Sequence, residues 1–214
     1  MNNTKVVLFD AANTLIYKPQ LFEKLNSVLL SHHYNIPLDT LKGQHKLLSE
    51  IINFPDKTSK SFYQEFNAEL LISLGIIPTE VLLDDIFTAC TYLDWKAFDD
   101  TKFVADLSQI KAVLSNFNSK LDTILEGLIG ENIFSEIIIS EMENVRKPSI
   151  DFYELAVEKL QVAPNEILYI GDSLKLDIIP AQKVGMRTLL IDREQHFPFA
   201  KNRINSFEEI KQYL

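Results

Sequence analysis

Five short runs of aliphatic and β-branched residues recur along the chain, and what lies between them is helical in pattern. The runs are KVVLF from Lys5, KAVLS from Lys111, EIIIS from Glu136, EILYI from Glu166 and RTLLI from Arg187. Continuous apolar runs without polar alternation suit strands buried on both faces, as in a parallel sheet. Phe152, Leu155, Ala156 and Leu160 repeat at three- and four-residue spacing, which predicts a helix with one buried stripe. Strand alternating with helix predicts a doubly wound parallel α/β sheet, Rossmann-like in its core. Ser206 with Glu209 forms a capping-box pattern, so a closing helix is expected.

The interval from Phe9 to Lys111 is far longer than a crossover helix needs. From about Gln20 to about Thr91 its pattern is helical, interrupted at Pro37, at Asn53 to Ser59 and at Leu74 to Glu80. Four helices packed as a small bundle are expected. The chain then divides into an α/β core at residues 1–16 and 93–214 and a helical cap at 17–92, with hinges near Ile16 to Pro19 and Thr91 to Phe98.

Composition narrows the partners. Among 214 residues, 21 basic against 30 acidic side chains leave a net charge of −9, which disfavours a nucleic-acid backbone. No segment approaches the apolar length of a bilayer span, and the first residues read as a strand rather than a signal peptide, so a cytoplasmic protein without membrane contact is expected. Cys90 stands alone, which excludes an internal disulfide. Small molecules or proteins fit that charge better as partners; the sequence does not set the oligomeric state.

Four places carry the chemistry. VVLFDAANTL delivers Asp10 at a strand tip, followed by Ala12, Asn13 and Thr14; KAVLS ends on Ser115 and runs into Asn116; RKPSIDFYELA contains Lys147; IGDSLKLDIIPAQKVGMRT contains Asp172 and Asp177. Each lies at the carboxyl end of a predicted strand, where open parallel sheets bind ligands. Clustered carboxylates repel one another unless a cation neutralises them, and an all-oxygen donor set suits Mg²⁺. Taken singly, each residue has a plainer reading: Asp172 and Asp177 as helix caps, Ser115 as a turn residue, Lys147 as solvated surface, Asp10 as an N-cap. His32, His33, His45 and His196 match no ligand spacing, and Tyr17 and Phe22 read as core filling.

Together the four places resemble the motifs of the haloacid dehalogenase-like (HAD) hydrolases, specifically the subgroup with a helical cap. The resemblance implies a nucleophile at Asp10, Ser115 and Lys147 as catalytic partners that hold the transferring group, and Thr14 and Asn116 at the substrate. It also implies a Mg²⁺ site from Asp10, the Ala12 carbonyl, Asp172 and Asp177, and a phosphorylated substrate. Ala12 departs from the pattern. Phosphatases of the superfamily carry there a second Asp that serves as general acid and base, worth typically 10²–10⁴-fold. The expected activity is therefore Mg²⁺-dependent phosphate-ester hydrolysis with weakened acid–base catalysis. Alternatives are an impaired phospho-ligand or protein-binding homologue, or hydrolysis of a C–X or C–P bond. Asn13, where Gly is usual, is a milder change because Asn tolerates positive φ. Lys42 and Lys46 are candidates for a Schiff-base lysine, with helix-surface residues as the plainer reading. No Arg precedes Arg146 to serve as a dehalogenase-type carboxylate anchor.

Overall fold

The computed structural model describes residues 3–52, 54–55 and 58–214. The chain forms two compact units, Met1–Tyr17 with Lys96–Leu214, and Lys18–Trp95.

In the first unit the strands are β1 (Val6–Phe9), β2 (Ile16–Tyr17), β3 (Lys96–Ala97), β4 (Ile110–Ser115), β5 (Glu136–Ile139), β6 (Ile167–Gly171), β7 (Arg187–Ile191) and β8 (Arg203–Ile204). Six of them make one parallel sheet in the order β5-β4-β1-β6-β7-β8. The doubly wound α/β expectation is met. Strands β1 and β6 are buried at every residue, as unbroken apolar runs require. β1 lies at the centre, Val6 paired with Ile110 on one side and Ile167 on the other. The short antiparallel pair β2–β3, Ile16 opposite Ala97, is a separate ribbon. Neither this ribbon nor β8 is foreseen in the sequence, since two-residue strands carry no periodicity.

The second unit holds α1 (Leu21–Ser31), α2 (Leu38–Ile51), α3 (Lys60–Ser73) and α4 (Glu80–Cys90). Ser59 and Thr79 cap α3 and α4 by accepting from Phe62 N and Leu82 N. Leu25, Leu29, Leu41, Leu70, Leu82 and Ile86 pack into its core. Truncating one such leucine to alanine costs about 2–5 kcal/mol. Of the expected break at Asn53 to Ser59, Asn53, Asp56 and Lys57 lie outside the described residues.

The remaining helices belong to the first unit: α5 (Lys102–Ala105), α6 (Leu121–Ile129), α7 (Ser140–Glu143), α8 (Ile150–Leu160) and α9 (Ile179–Val184). Phe152, Tyr153 and Ala156 of α8 pack against Val6, Leu8, Ile167 and Tyr169. The closing helix is 3-10 rather than α, spanning Phe207–Tyr213. Its capping box is intact: Ser206 Oγ accepts from Glu208 N, and Glu209 Oε1 accepts from Ser206 N. Among the described residues no helix is long and apolar enough to cross a membrane.

Candidate active site

Lys42 and Lys46 lie on α2 of the second unit; every other candidate site residue lies in the first, at the carboxyl ends of β1, β4 and β6 or in the segments that follow β5 and β6. Past β1 the backbone folds into a tight loop: Leu15 N and Ile16 N both donate to Ala11 O, and Asn13 N donates to Ile16 O at 2.6 Å. Asn13 takes φ 60°, the left-handed region that Asn tolerates. The loop presents Asp10, which is 7% exposed.

Two donors converge on one oxygen of that carboxylate. Lys147 Nζ lies 2.6 Å and Ser115 Oγ 3.2 Å from Asp10 Oδ1. Lys147 also donates to Asp177 Oδ1 at 2.7 Å, and at 3% exposure it is not the solvated lysine of the plainer reading. Asn116 holds Lys147 in place, its Nδ2 donating to the Lys147 carbonyl at 3.1 Å and its Oδ1 accepting Lys147 N at 2.8 Å. Those bonds direct the Asn116 amide at the Lys147 backbone; the resemblance implies a place for Asn116 beside the substrate. Thr14 is fully buried, and its Oγ1 has no hydrogen-bond partner among the described residues.

Asp177 is fixed from several sides. Its Oδ1 also accepts the Tyr169 hydroxyl at 2.9 Å, and its Oδ2 accepts Ser173 N at 3.0 Å. It does not cap the turn in which it stands; Ser173 does, accepting from Leu176 N. Gly171 makes this arrangement possible, because a Cβ there would lie 2.4 Å from Asp177 Cγ. Asp172 is half-buried at the tip of β6, and Asp10, Asp172 and Asp177 each offer an oxygen within 4.8 Å of the others.

Electrostatics follow from this geometry. Burial pushes the Asp10 carboxyl up, Lys147 pulls it down, and Asp177 and Asp172 push it up again, leaving it at about 6. Burial pushes the Lys147 ammonium down, yet the Asp10 and Asp177 carboxylates together outweigh that and hold it above the usual lysine value. Sequence reasoning missed Tyr169, whose ring centroid is 5.5 Å from Lys147 Nζ. Inside an apolar strand a tyrosine reads as core, and only the fold brings its hydroxyl to Asp177.

A buried carboxylate held against a lysine at the carboxyl edge of an open parallel sheet stands where α/β proteins bind and act on their ligands. The chain belongs to the haloacid dehalogenase-like hydrolases, the family whose sequence pattern matches residues 4–185. A glyceraldehyde 3-phosphate phosphatase of Methanopyrus kandleri is 26% identical over 208 residues, covering 90% of this chain and 85% of that one. Among solved structures, magnesium-bound YfnB of Bacillus subtilis is similar with a TM-score of 0.69 at 18% identity, over 99% of both chains. L-2-haloacid dehalogenase of Xanthobacter autotrophicus is similar with a TM-score of 0.64 at 20% identity, over 98% of this chain and 97% of that one. Both likenesses are of fold.

Proposed function

We propose that this hydrolase is a Mg²⁺-dependent phosphatase acting on a small phosphate ester through a covalent intermediate on Asp10. The observation that carries the reading is the clustering of the site: Asp10, Asp172 and Asp177 offer oxygens within 4.8 Å of one another, and Lys147 pairs with two of them, Asp10 and Asp177. An all-oxygen set of clustered carboxylates fits a hard divalent cation. Asp10, the Ala12 carbonyl and Asp172 would hold it. Both oxygens of Asp177 are engaged by protein donors, so Asp177 contributes by fixing Lys147 and through water. The cation supplies charge neutralisation for the transferring phosphoryl group.

The side chains do the rest. Lys147 and Ser115 gather on Oδ1 of Asp10 and set the plane of the carboxylate, so Oδ2 is the attacking atom. It bonds to phosphorus as the bond to the leaving oxygen breaks; water then attacks the aspartyl phosphate and releases inorganic phosphate. Lys147 and Ser115 also stabilise charge on the phosphoryl oxygens. Asn116 acts through Lys147 as a positioning residue.

Ala12 supports a narrower form of the same reading. With no carboxylate at that position to protonate the leaving oxygen, aryl and acyl phosphates should turn over faster than alkyl ones. A panel of such esters, including glyceraldehyde 3-phosphate, with and without Mg²⁺ and with Asp10→Asn as control, tests the proposal. Release of phosphate that requires both Mg²⁺ and Asp10 supports it. Halide release from a 2-haloacid in place of phosphate release would assign the site to C–X hydrolysis, and binding of phosphate esters without release would assign it to binding alone.

A further inference from the structure

The segment after β7 inserts a guanidinium between aromatic rings. Arg193 Cζ lies 3.8 Å from the centroid of Phe98 and 4.8 Å from that of Phe207. Phe98 stacks on Tyr17 at 4.3 Å with planes 17° apart, and Phe207 meets Phe9 edge-on at 5.5 Å. Phe9 immediately precedes Asp10, and Tyr17 follows the loop that Asp10 begins. The column Tyr17–Phe98–Arg193–Phe207–Phe9 therefore grips that loop at both ends.

Polar contacts lock the column. Arg193 Nη2 donates to Asp100 Oδ1 at 2.9 Å and to Oδ2 at 3.1 Å, and Nε donates to Oδ2 at 3.2 Å. Asp100 Oδ2 also accepts Phe207 N at 3.0 Å. The remaining arm, Nη1, points at the Asn13 carbonyl oxygen from 3.4 Å, long for a hydrogen bond but aimed at the left-handed apex of the loop. Hydrogen bonds inside the loop set its internal shape, Asp10 N to Ile170 O and Phe98 N to Leu15 O tie its ends to the core, and Arg193 adds the contact at its apex. A planar fork that stacks on two rings while pairing bidentately is a task for arginine that lysine cannot repeat.

We infer that Arg193 is a positioning residue that orders the loop from Asp10 to Tyr17 for reaction, without touching the reacting atoms. The inference rests on reading Asp10 as the nucleophile. An error near 1 Å in placing a reactive group can cost about 100-fold in rate, so the loop's placement matters even though Arg193 is remote from the chemistry.

The test compares the full chain with Arg193→Gln, Arg193→Lys and Asp100→Asn, by amide hydrogen exchange and by turnover of an aryl phosphate at saturating Mg²⁺. Exchange across residues 10–17 should accelerate roughly 10-fold or more while that of β6 stays unchanged. The value of kcat should fall roughly 10- to 100-fold with KM within about twofold, the pattern of lost preorganisation rather than lost binding. Arg193→Lys should recover only a small part of the rate. Unchanged exchange across 10–17, acceleration shared equally by β6, or faster exchange with unchanged kcat would each overturn the inference. If the parent hydrolyses no ester, the phosphatase reading fails, and the exchange comparison alone decides whether Arg193 orders the loop.

Discussion

Lys147 and Asp10 form a buried ion pair, Nζ to Oδ1 at 2.6 Å, with side chains 2% and 10% exposed. Asp177 pairs with the same ammonium at 2.7 Å. Replacing Lys147 with Met keeps the volume and removes the charge. Two buried carboxylates then lose their counter-ion, for which breaking a buried pair costs about 3–5 kcal/mol. Denaturant unfolding should register that loss, and turnover of an aryl phosphate should fall at least ~100-fold. Retained turnover would remove Lys147 from the catalytic group.

Asp10 destabilises the fold that holds it. Its carboxyl stands at about 6 in the folded chain against an ordinary 3.8. A folded-state value raised in this way gives stability that is full below pH 3.8 and lost as pH rises through 6. In metal-free protein at pH 8, Asp10→Asn should therefore be more stable than the parent, by up to about 3 kcal/mol. The lost contact to Lys147 subtracts from that gain. Unfolding midpoints at pH 4, 6 and 8 should show the advantage shrinking toward acid, and a variant less stable than the parent at pH 8 would contradict a raised Asp10 carboxyl.

Restoring a carboxylate at position 12 should change selectivity before it changes stability. Ala12 is only half-buried, so Ala12→Asp fits without a core cavity to fill. Alkyl phosphate turnover should rise more than aryl phosphate turnover, because the alkoxide most needs a proton, with an effect on the order of 10²-fold. Equal acceleration of both classes would mean that leaving-group protonation does not limit the parent enzyme.

His45 gives the second unit an acid limit. Its ring lies 5.2 Å from Phe22 and 5.0 Å from Phe66, both edge-on, and burial with the neighbouring Lys46 charge depresses its value from 6.5 to about 4. A depressed folded-state value means stability present above pH 6.5 and lost as pH falls toward 4. His45→Phe keeps a ring in the cluster and removes the proton site. Its unfolding free energy should decline less between pH 7 and pH 4 than that of the parent, by about 1–3 kcal/mol. Parallel pH profiles would show that His45 does not titrate against folding.

What the sequence reveals follows from how local each signal is. Strands β1, β4, β6 and β7 announce themselves because burial on both faces demands unbroken apolar runs, and Asp10, Ser115 and Asp172 are legible because they end those runs or follow them directly. Asp177 is harder to read, since the turn at Leu174–Ile178 is a π-helix and its spacing resembles an ordinary helix start. The closing segment shows why a cap does not set helix type: Ser206 and Glu209 satisfy the first donors equally well in a 3-10 turn. Tyr169 and Arg193 are invisible in sequence because their partners come from Asp177, Phe98 and Asp100, which only the fold brings near.

The pairing of Ile16 with Ala97 bears on the order in which the chain assembles. β1 is synthesised before either of its sheet neighbours, since Val6 must wait for Ile110 and then for Ile167. Closing that first connection across a floppy chain of roughly 100 residues is entropically costly. Once the inserted helices have packed and the ribbon has brought its two ends together, only about 20 residues remain loose between β1 and β4. On loop-closure scaling the step that joins β1 to β4 is then easier by about 1.4 kcal/mol, the rest of the closure having been met when the helices packed and the ribbon paired. An insertion usually regarded as an addition to a sheet thus serves as a clasp for it, and during refolding the amides of α1 to α4 should gain protection before those of β1 and β4.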